Sequence, residues 1–506
     1  MKIYQNLEDN IAYFAAVFEG SGDVVMRKFP IGGSMRRFGF VIYLDGMTDR
    51  LVVENNVLAR LMASAQKTPE SFFHTPMGLL DSLMEGGMTT AELKEETDMD
   101  AAVAAVLAGD TAIFADGCEA AVLVSTKGFP NRGVPETSVE VVVQGSNEAF
   151  SEVMRINTAL LRRRVKDVNL KVKQVKVGRR TATDIAICYL DDVVRPEVLK
   201  QALERIANID VDGIFDAGAL EELIEEDISS PFPQCQITQR PDKAASGVTE
   251  GRVAILVDNS PSAILVPATI NSFFQASEDY SQGWEIMSFV RLLRFFAAFF
   301  ALALPGLYIA ITTFHPNMLP MMLTFKMAAA REGIAFPAVL EILIMEFAFE
   351  LLREAGIRLP RPVGSSIGII GGLIVGEAAV SAGIVSPIVV IVVALTGIAS
   401  FAIPSYSLVS AFRLAKFLII ALSAALGLLG FWVALLIIMI HLASLKSFGL
   451  PYLFPFVSGD INGYTDFKDS LFRAPAVFMK KRPIYANPAQ ECRQDIKELG
   501  NVRDRE

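Results

Sequence analysis

A chain of 506 residues, 52% hydrophobic yet 20% charged, is too long for one ordinary domain and too mixed to be uniform material. Its net charge of −10 excludes a nucleic-acid binder, which needs a basic face, and the run Arg162, Arg163, Arg164 with Lys166 is too short to reverse that balance. Cys118, Cys188, Cys235 and Cys492 lie far apart without CxxC spacing, and His74, His315 and His441 are scattered. Neither a disulfide framework nor a metal site is expected, which fits a reducing compartment. No cofactor is implied.

The start, Met1-Lys2-Ile3-Tyr4, has no basic flank followed by a short apolar run, so it reads as a cytoplasmic end rather than a signal peptide. The first 288 residues then repeat themselves. Phe29-Pro30-Ile31-Gly32 aligns with Val175-Lys176-Val177-Gly178. At the same offset Phe40-Val41-Ile42-Tyr43-Leu44-Asp45 falls on Ala186-Ile187-Cys188-Tyr189-Leu190-Asp191. Both copies predict a β-hairpin followed by an amphipathic helix, over 51–63 and 195–207. Further on, Gly109-Asp110-Thr111-Ala112-Ile113-Phe114 matches Gly251-Arg252-Val253-Ala254-Ile255-Leu256, and each is followed by a second strand. The turns Asp116-Gly117 and Asp258-Asn259 carry residues that tolerate positive φ. The expectation is a soluble α/β head of two similar units, 1–140 and 141–288. Coincidental likeness of strand patterns is the competing reading. Ser64-Ala65-Gln66-Lys67 has nucleophile spacing but no partner motif, Gly32-Gly33 makes no phosphate loop, and the acidic run Glu221–Asp227 reads as a solvated helix face.

From position 289 to 445 charges become sparse, and an α-helical transmembrane bundle of four or five spans is expected. Phe295–Phe314 is uncharged and long enough to cross about 30 Å of hydrocarbon. Pro305 predicts a kink there, and Arg291 and Arg294 just before it suggest a cytoplasmic head. Residues 363–405 hold two spans divided near Ser386-Pro387, and Phe417–Ile440 follows Arg413 and Lys416 as another. The stretch 334–352 carries Glu341, Glu346 and Glu350, too many acids for a lipid-facing span, so it is expected inside the assembly or at the interface. Over 363–385, Gly364, Gly368, Gly372 and Gly376 form a ridge without side chains, suited to close helix packing. An adjacent stripe carries Ser366, Ile370, Leu373, Glu377, Ser381 and Ile384. Glu377 there either faces a water-filled path or is satisfied by a neighbouring helix. Residues 446–506 are expected to form a cytoplasmic or interfacial tail.

These residues carry a resemblance. Ser230-Pro231-Phe232-Pro233-Gln234, Arg240-Pro241-Asp242-Lys243, Glu250-Gly251-Arg252, Pro305-Gly306-Leu307-Tyr308, Arg353-Glu354-Ala355-Gly356, Gly371-Gly372-Leu373-Ile374-Val375-Gly376 and Phe448-Gly449-Leu450-Pro451-Tyr452 occur in this order. Together they resemble the A subunits of bacterial spore germinant receptors. The chain departs from that pattern at Gly145-Ser146, where the family often has Gly-Pro, and at Glu377, where it often has Gln. The resemblance implies a germination protein of the spore inner membrane with no enzymatic activity. It implies a permease-like B subunit and a lipoprotein C subunit as partners, and homo-oligomerisation into a nutrient-gated ion channel.

On that reading the stripe of Ser366, Ile370, Leu373, Glu377, Ser381 and Ile384 lines a cation path. Glu377 attracts cations, and Leu373 and Ile384 close the path by dewetting. Two alternatives stay open. One is a SpoVAF-like sporulation paralogue of the A subunit. The other is a secondary transporter driven by intramembrane glutamates, although transporters usually repeat within their membrane part, and here the repeat lies in the head.

Overall fold

The computed structural model describes residues 1–31, 37–59, 93–128, 140, 144–358, 376–457 and 465–493. Gly32-Gly33, Ser64–Lys67, His74, Gly364, Ser366, Gly368, Ile370, Gly372 and Leu373 lie outside the described residues. The chain divides into an α/β unit, made of Met1–Glu225, Cys235–Pro267 and the stretch from Lys480 onward, and a helical unit, made of Glu226–Gln234 and Ala268–Met479. The stretch 446–506, expected as a single tail, is therefore shared between the two.

The α/β unit contains two five-stranded sheets. The first is built from β1 (Val24–Ile31), β2 (Arg37–Leu44), β3 (Leu93–Glu96), β4 (Thr111–Ala115) and β5 (Ala121–Val124), in the order β1-β2-β4-β5-β3. The second uses β6 (Leu170–Val177), β7 (Thr183–Leu190), β8 (Gln236–Thr238), β9 (Val253–Val257) and β10 (Ala263–Val266), in the order β6-β7-β9-β10-β8. The two orders are the same, strand for strand. β1 and β2 pair antiparallel from Val24↔Leu44 to Ile31↔Arg37, and β6 and β7 pair from Leu170↔Leu190 to Val177↔Thr183, so the predicted hairpins are in register.

The likeness extends to polar contacts. Helix α1 (Leu7–Val17) opens the first half, and α2 (Met99–Leu107) precedes β4. In the second half α3 (Met154–Arg164) stands in for α1. Asn10 in α1 is buried and exchanges hydrogen bonds with the backbone of Tyr4, at 2.7 and 3.0 Å. Asn157 in α3 does the same with Ser151, at 2.6 and 2.8 Å. The turn aspartates repeat a role as well: Asp116 accepts from the Leu7 amide and Asp258 from the Met154 amide, so each caps the helix that opens its half. Gly117 and Asn259 beside them have positive φ, as their turns require. Alternate residues of β2, β4 and β5 meet opposite faces of the first sheet. Phe40, Ile42 and Phe114 pack with Phe14 of α1, while Val41, Tyr43 and Ile113 pack with Val53 and Val57. A bidentate Arg162–Asp23 pair, 2.7 and 2.9 Å and fully buried, joins the halves.

The second half continues with α4 (Pro196–Ala207), α5 (Ala217–Ile224) and α6 (Pro241–Thr249), and it receives the chain again after Met479. Ile484, Tyr485 and Ala486 are buried there. Asn487 donates to the Val193 carbonyl, Arg195 to that of Ala486, and Arg482 to that of Thr249. Gly251, at φ +97°, lies so close to Ala486 that a Cβ would fall 2.7 Å from the Ala486 Cα.

The helical unit begins with the single-turn α7 (Ile270–Phe274) and the long α8 (Trp284–Ile309), which continues in wider turns to Phe314; Pro305 lies inside it and the helix runs on past it. Then come α9 (Met321–Ala330), α10 (Ala338–Arg358), helical residues 376–381, α11 (Pro387–Phe401), α12 (Tyr406–Leu426) and α13 (Leu428–Ser444). The expected single span Phe417–Ile440 is corrected here: Gly427 breaks it into an antiparallel pair. Gly427 has φ +64° and ψ −137°, a conformation closed to other residues, and Gly430 then sits directly against the Leu422 carbonyl. The start of α12 and the end of α13 meet again around Phe232, whose ring faces Phe412 and His441. Ser386 caps α11 through the Val389 amide, with Pro387 in the first turn, so the division expected there falls where the chain turns.

The acidic run of α5 is not wholly solvated. Glu221 is half-buried, and burial, aided by the neighbouring Glu225 carboxylate, pushes its carboxyl up to about 8. Because the folded state then holds a proton that the unfolded state loses near pH 4.5, stability falls as pH rises from that value through 8. Glu221→Gln is therefore expected to match wild type near pH 4.5 and to exceed it at pH 9, by at least about 1 kcal/mol, in denaturant unfolding followed at both pH values.

Candidate functional site: charged pairs and an exposed stripe in the helical unit

Among the described residues, two helices are long and apolar enough to cross a membrane, Trp284–Phe314 and Tyr406–Leu426, and α9, α11 and α13 are shorter apolar helices. Large apolar side chains on these helices stand exposed, among them Phe289, Phe296, Ile391, Ile398, Leu429 and Trp432. Against that apolar material the charged groups are conspicuous, and each of those buried in it has a partner.

Glu341, Glu346 and Glu350 lie on α10, whose opposite side leaves Phe347 and Leu351 exposed. Glu341 is completely buried; it accepts from the Ser386 amide at 2.8 Å and lies 3.1 Å from the Arg331 guanidinium. That places its charge at the N-terminus of α11, where the helix dipole favours an anion. Glu346 and Glu350, one turn apart, face two cations one turn apart on α12. The Glu346–Lys416 contact is 2.5 Å with both groups buried, and Arg413 grips Glu350 through Nε, at 3.0 Å, and Nη2. Arg353 follows, 5.4 Å from the ring centre of Phe401. Arg413 and Lys416 are thus not free charges flanking a span. The sequence hides this because a partner about 65 residues away leaves no local pattern. The one sequence signal is the match of acids at i and i+4 with cations at i and i+3 on two apolar helices.

Arg291 and Arg294 are partnered as well. Arg291 meets Asp279 at 2.8 Å and Asp469 at 2.6 Å; Arg294 meets Asp279 at 2.8 Å and the Phe274 carbonyl. Both are buried and paired with carboxylates in the fold.

The stripe and the ridge are described only in part. Gly376 is buried, and a Cβ there would lie 3.3 Å from Val390 of α11. Glu377 and Ser381 are exposed on the other side of the same turns. Ile384 departs from the expected helix: the helix ends at Ser381, Gly383 takes φ +66°, and Ile384 stands in the bend, 38% exposed. Among the described residues no group of His, Cys, Asp and Glu is placed to hold a metal ion.

Two α/β halves with one strand order, joined in one chain to an apolar helical unit with internal ion pairs, define a protein with a folded head and a part suited to a membrane. The family model for the Bacillus/Clostridium GerA spore germination protein matches residues 12–485, and the chain belongs to that family. It is 39% identical to spore germination protein KA of Bacillus subtilis over 97% of this chain and 89% of that protein. It is 38% identical to the uncharacterized membrane protein YfkQ of the same organism, over 95% and 91%. It is 32% identical to the stage V sporulation protein AF, over 98% of both. Among solved structures, the N-terminal domain of the A subunit of the Bacillus megaterium spore germinant receptor GerK3 is 27% identical, with a TM-score of 0.41, over 53% of this chain and 98% of that one.

Gly376→Leu is expected to push the 376–381 helix from α11 and to lower the amount of assembled protein in the membrane fraction severalfold while the α/β unit stays folded. Immunoblotting of membranes, with hydrogen exchange on the α/β sheets, checks both halves of that expectation.

Proposed function

We propose that this protein is the channel-forming, signal-transducing A-type subunit of a nutrient germinant receptor in the spore inner membrane. In this reading it works with a permease-like B subunit and a lipoprotein C subunit and starts germination by releasing cations. The observation that carries the reading is the stripe of Glu377 and Ser381: a carboxylate and a hydroxyl exposed on one side of a helix whose glycine face packs on α11. In a homo-oligomer that stripe, extended by Ser366, Ile370 and Leu373, faces the symmetry axis, where a ring of carboxylates draws cations in. The relatives named for spore germination supply the biological setting.

Two features support the membrane arrangement. The helical unit is entered from the α/β unit at Ala268 and left to it at Lys480. One folded unit lies on one side of a bilayer, so the crossings between those points are even in number, against the five-span alternative. The contacts agree: Gly306 lies against Ile419 and Phe314 against Gly427, so 284–314 and 406–426 run the same way; Glu341 and Phe349 meet Ser386 and Gly397, so 338–358 and 387–401 do too; and Glu346–Lys416 with Glu350–Arg413 sets 338–358 antiparallel to 406–426. The sporulation paralogue reading is favoured instead if genes for a permease and a lipoprotein are absent beside this one.

Glu377→Gln is expected to lower cation conductance of the purified complex in planar bilayers severalfold, with unchanged assembly. Unchanged conductance, together with cysteines at 377 and 381 that water-borne reagents cannot reach in the open state, would assign the path to another helix.

A further inference from the structure

We infer that the ion pairs Glu346–Lys416 and Glu350–Arg413 form a latch that clasps α10 to α12 and holds the cation path shut in the resting state. The inference rests on the channel reading above and names how that path is regulated.

The pairs stand where stability alone does not call for them. Glu346 and Lys416 are each at most 5% exposed, and the second carboxylate oxygen of Glu346 has no hydrogen-bond partner. Apolar side chains of similar volume in place of a buried ion pair usually hold helices as well or better, and around Glu346 the neighbours Ile342, Met345 and Ile420 already supply such packing. What a charge pair adds is an all-or-none contact. Intact, it is neutral and bonded; once the helices slide apart by a turn, each charge needs water or a new partner.

The arrangement suits a clasp rather than a packing seam. α10 packs mainly on α11, and its backbone makes little contact with α12, so the long charged side chains do the bridging. Both pairs join the same two helices, one turn apart, and each involves a different cation, so they engage and release together. α10 is also tied to the turn beyond the proposed pore stripe, since Glu341 holds the Ser386 amide just after Ile384 and Val385. A shift of α10 relative to α12 therefore reaches the 376–385 segment through a direct hydrogen bond, with Arg331 following Glu341.

The test measures potassium release from spores with and without nutrient, after receptor levels in the inner membrane have been matched. Lys416→Glu and Glu346→Lys, each placing like charges together, are expected to raise nutrient-independent release about tenfold or more, and the double exchange E346K/K416E is expected to return it towards wild type. Single variants that reach the membrane at normal levels yet stay tight would overturn the latch. So would a double exchange that leaks as much as the singles. If the single reversals fail to accumulate, the near-isosteric uncharged pair E346Q/K416M decides: leakage supports the latch, and a tight, nutrient-responsive receptor refutes it. The wild-type control separates the two levels of inference, because a wild-type complex that conducts nothing on nutrient addition removes the channel reading itself.

Discussion

The structure of the helical unit depends on one constraint: a charge taken into apolar surroundings must bring its counter-charge with it. An ion held there alone is worth several kcal/mol of penalty, so each buried charge fixes the position of a remote stretch of chain. Asp279 gathers Arg291 and Arg294 at the start of α8, and Asp469 reaches Arg291 from nearly 180 residues further on. Glu346 and Glu350 tie α10 to α12 in the same way. The fold of this unit is to that extent a map of its charge pairs, with apolar packing filling the space between.

In the α/β unit the governing demand is different, because there the unsatisfied groups are backbone amides and carbonyls. The two halves meet it with the same devices at corresponding places: a buried asparagine that closes the loop before the first helix, and a turn aspartate that caps that helix. Side chains that merely fill volume have diverged between the halves, Phe14 against Leu161 for example, while these hydrogen-bonding residues have not. A packed core accepts many apolar choices; a backbone group in need of a partner accepts few.

This division explains what the sequence reveals and what it conceals. Strands such as Phe40–Leu44 and Ile185–Leu190 are legible because alternation and turn chemistry are local, and both pairs of matched segments fall on equivalent strands. The helices α1, α2, α3 and α6 are less legible, being short and partly polar. In the helical unit, hydropathy over 417–440 is continuous across Gly427, so an averaged profile merges two helices that one glycine turns back on each other. Arg291, Arg294, Arg413 and Lys416 look like flanking charges because flanks are visible in sequence and distant carboxylates are not. Of the candidate site, Gly376 is buried and Glu377 and Ser381 are exposed, whereas Ile384 is carried out of the helix by Gly383, a turn signal that a stripe drawn on ideal helical spacing overrides.

The return of the chain to the α/β unit has a consequence for biogenesis. Residues 480–493 are synthesised after the entire helical unit, yet they cover Gly251 and Arg252 in a domain whose other parts left the ribosome more than 200 residues earlier. Until translation reaches them, the seam that receives Ile484, Tyr485 and Ala486 stays open, an apolar groove with the carbonyls of Val193 and Thr249 unmet. Completion of this fold thus requires that the whole helical unit has already been made.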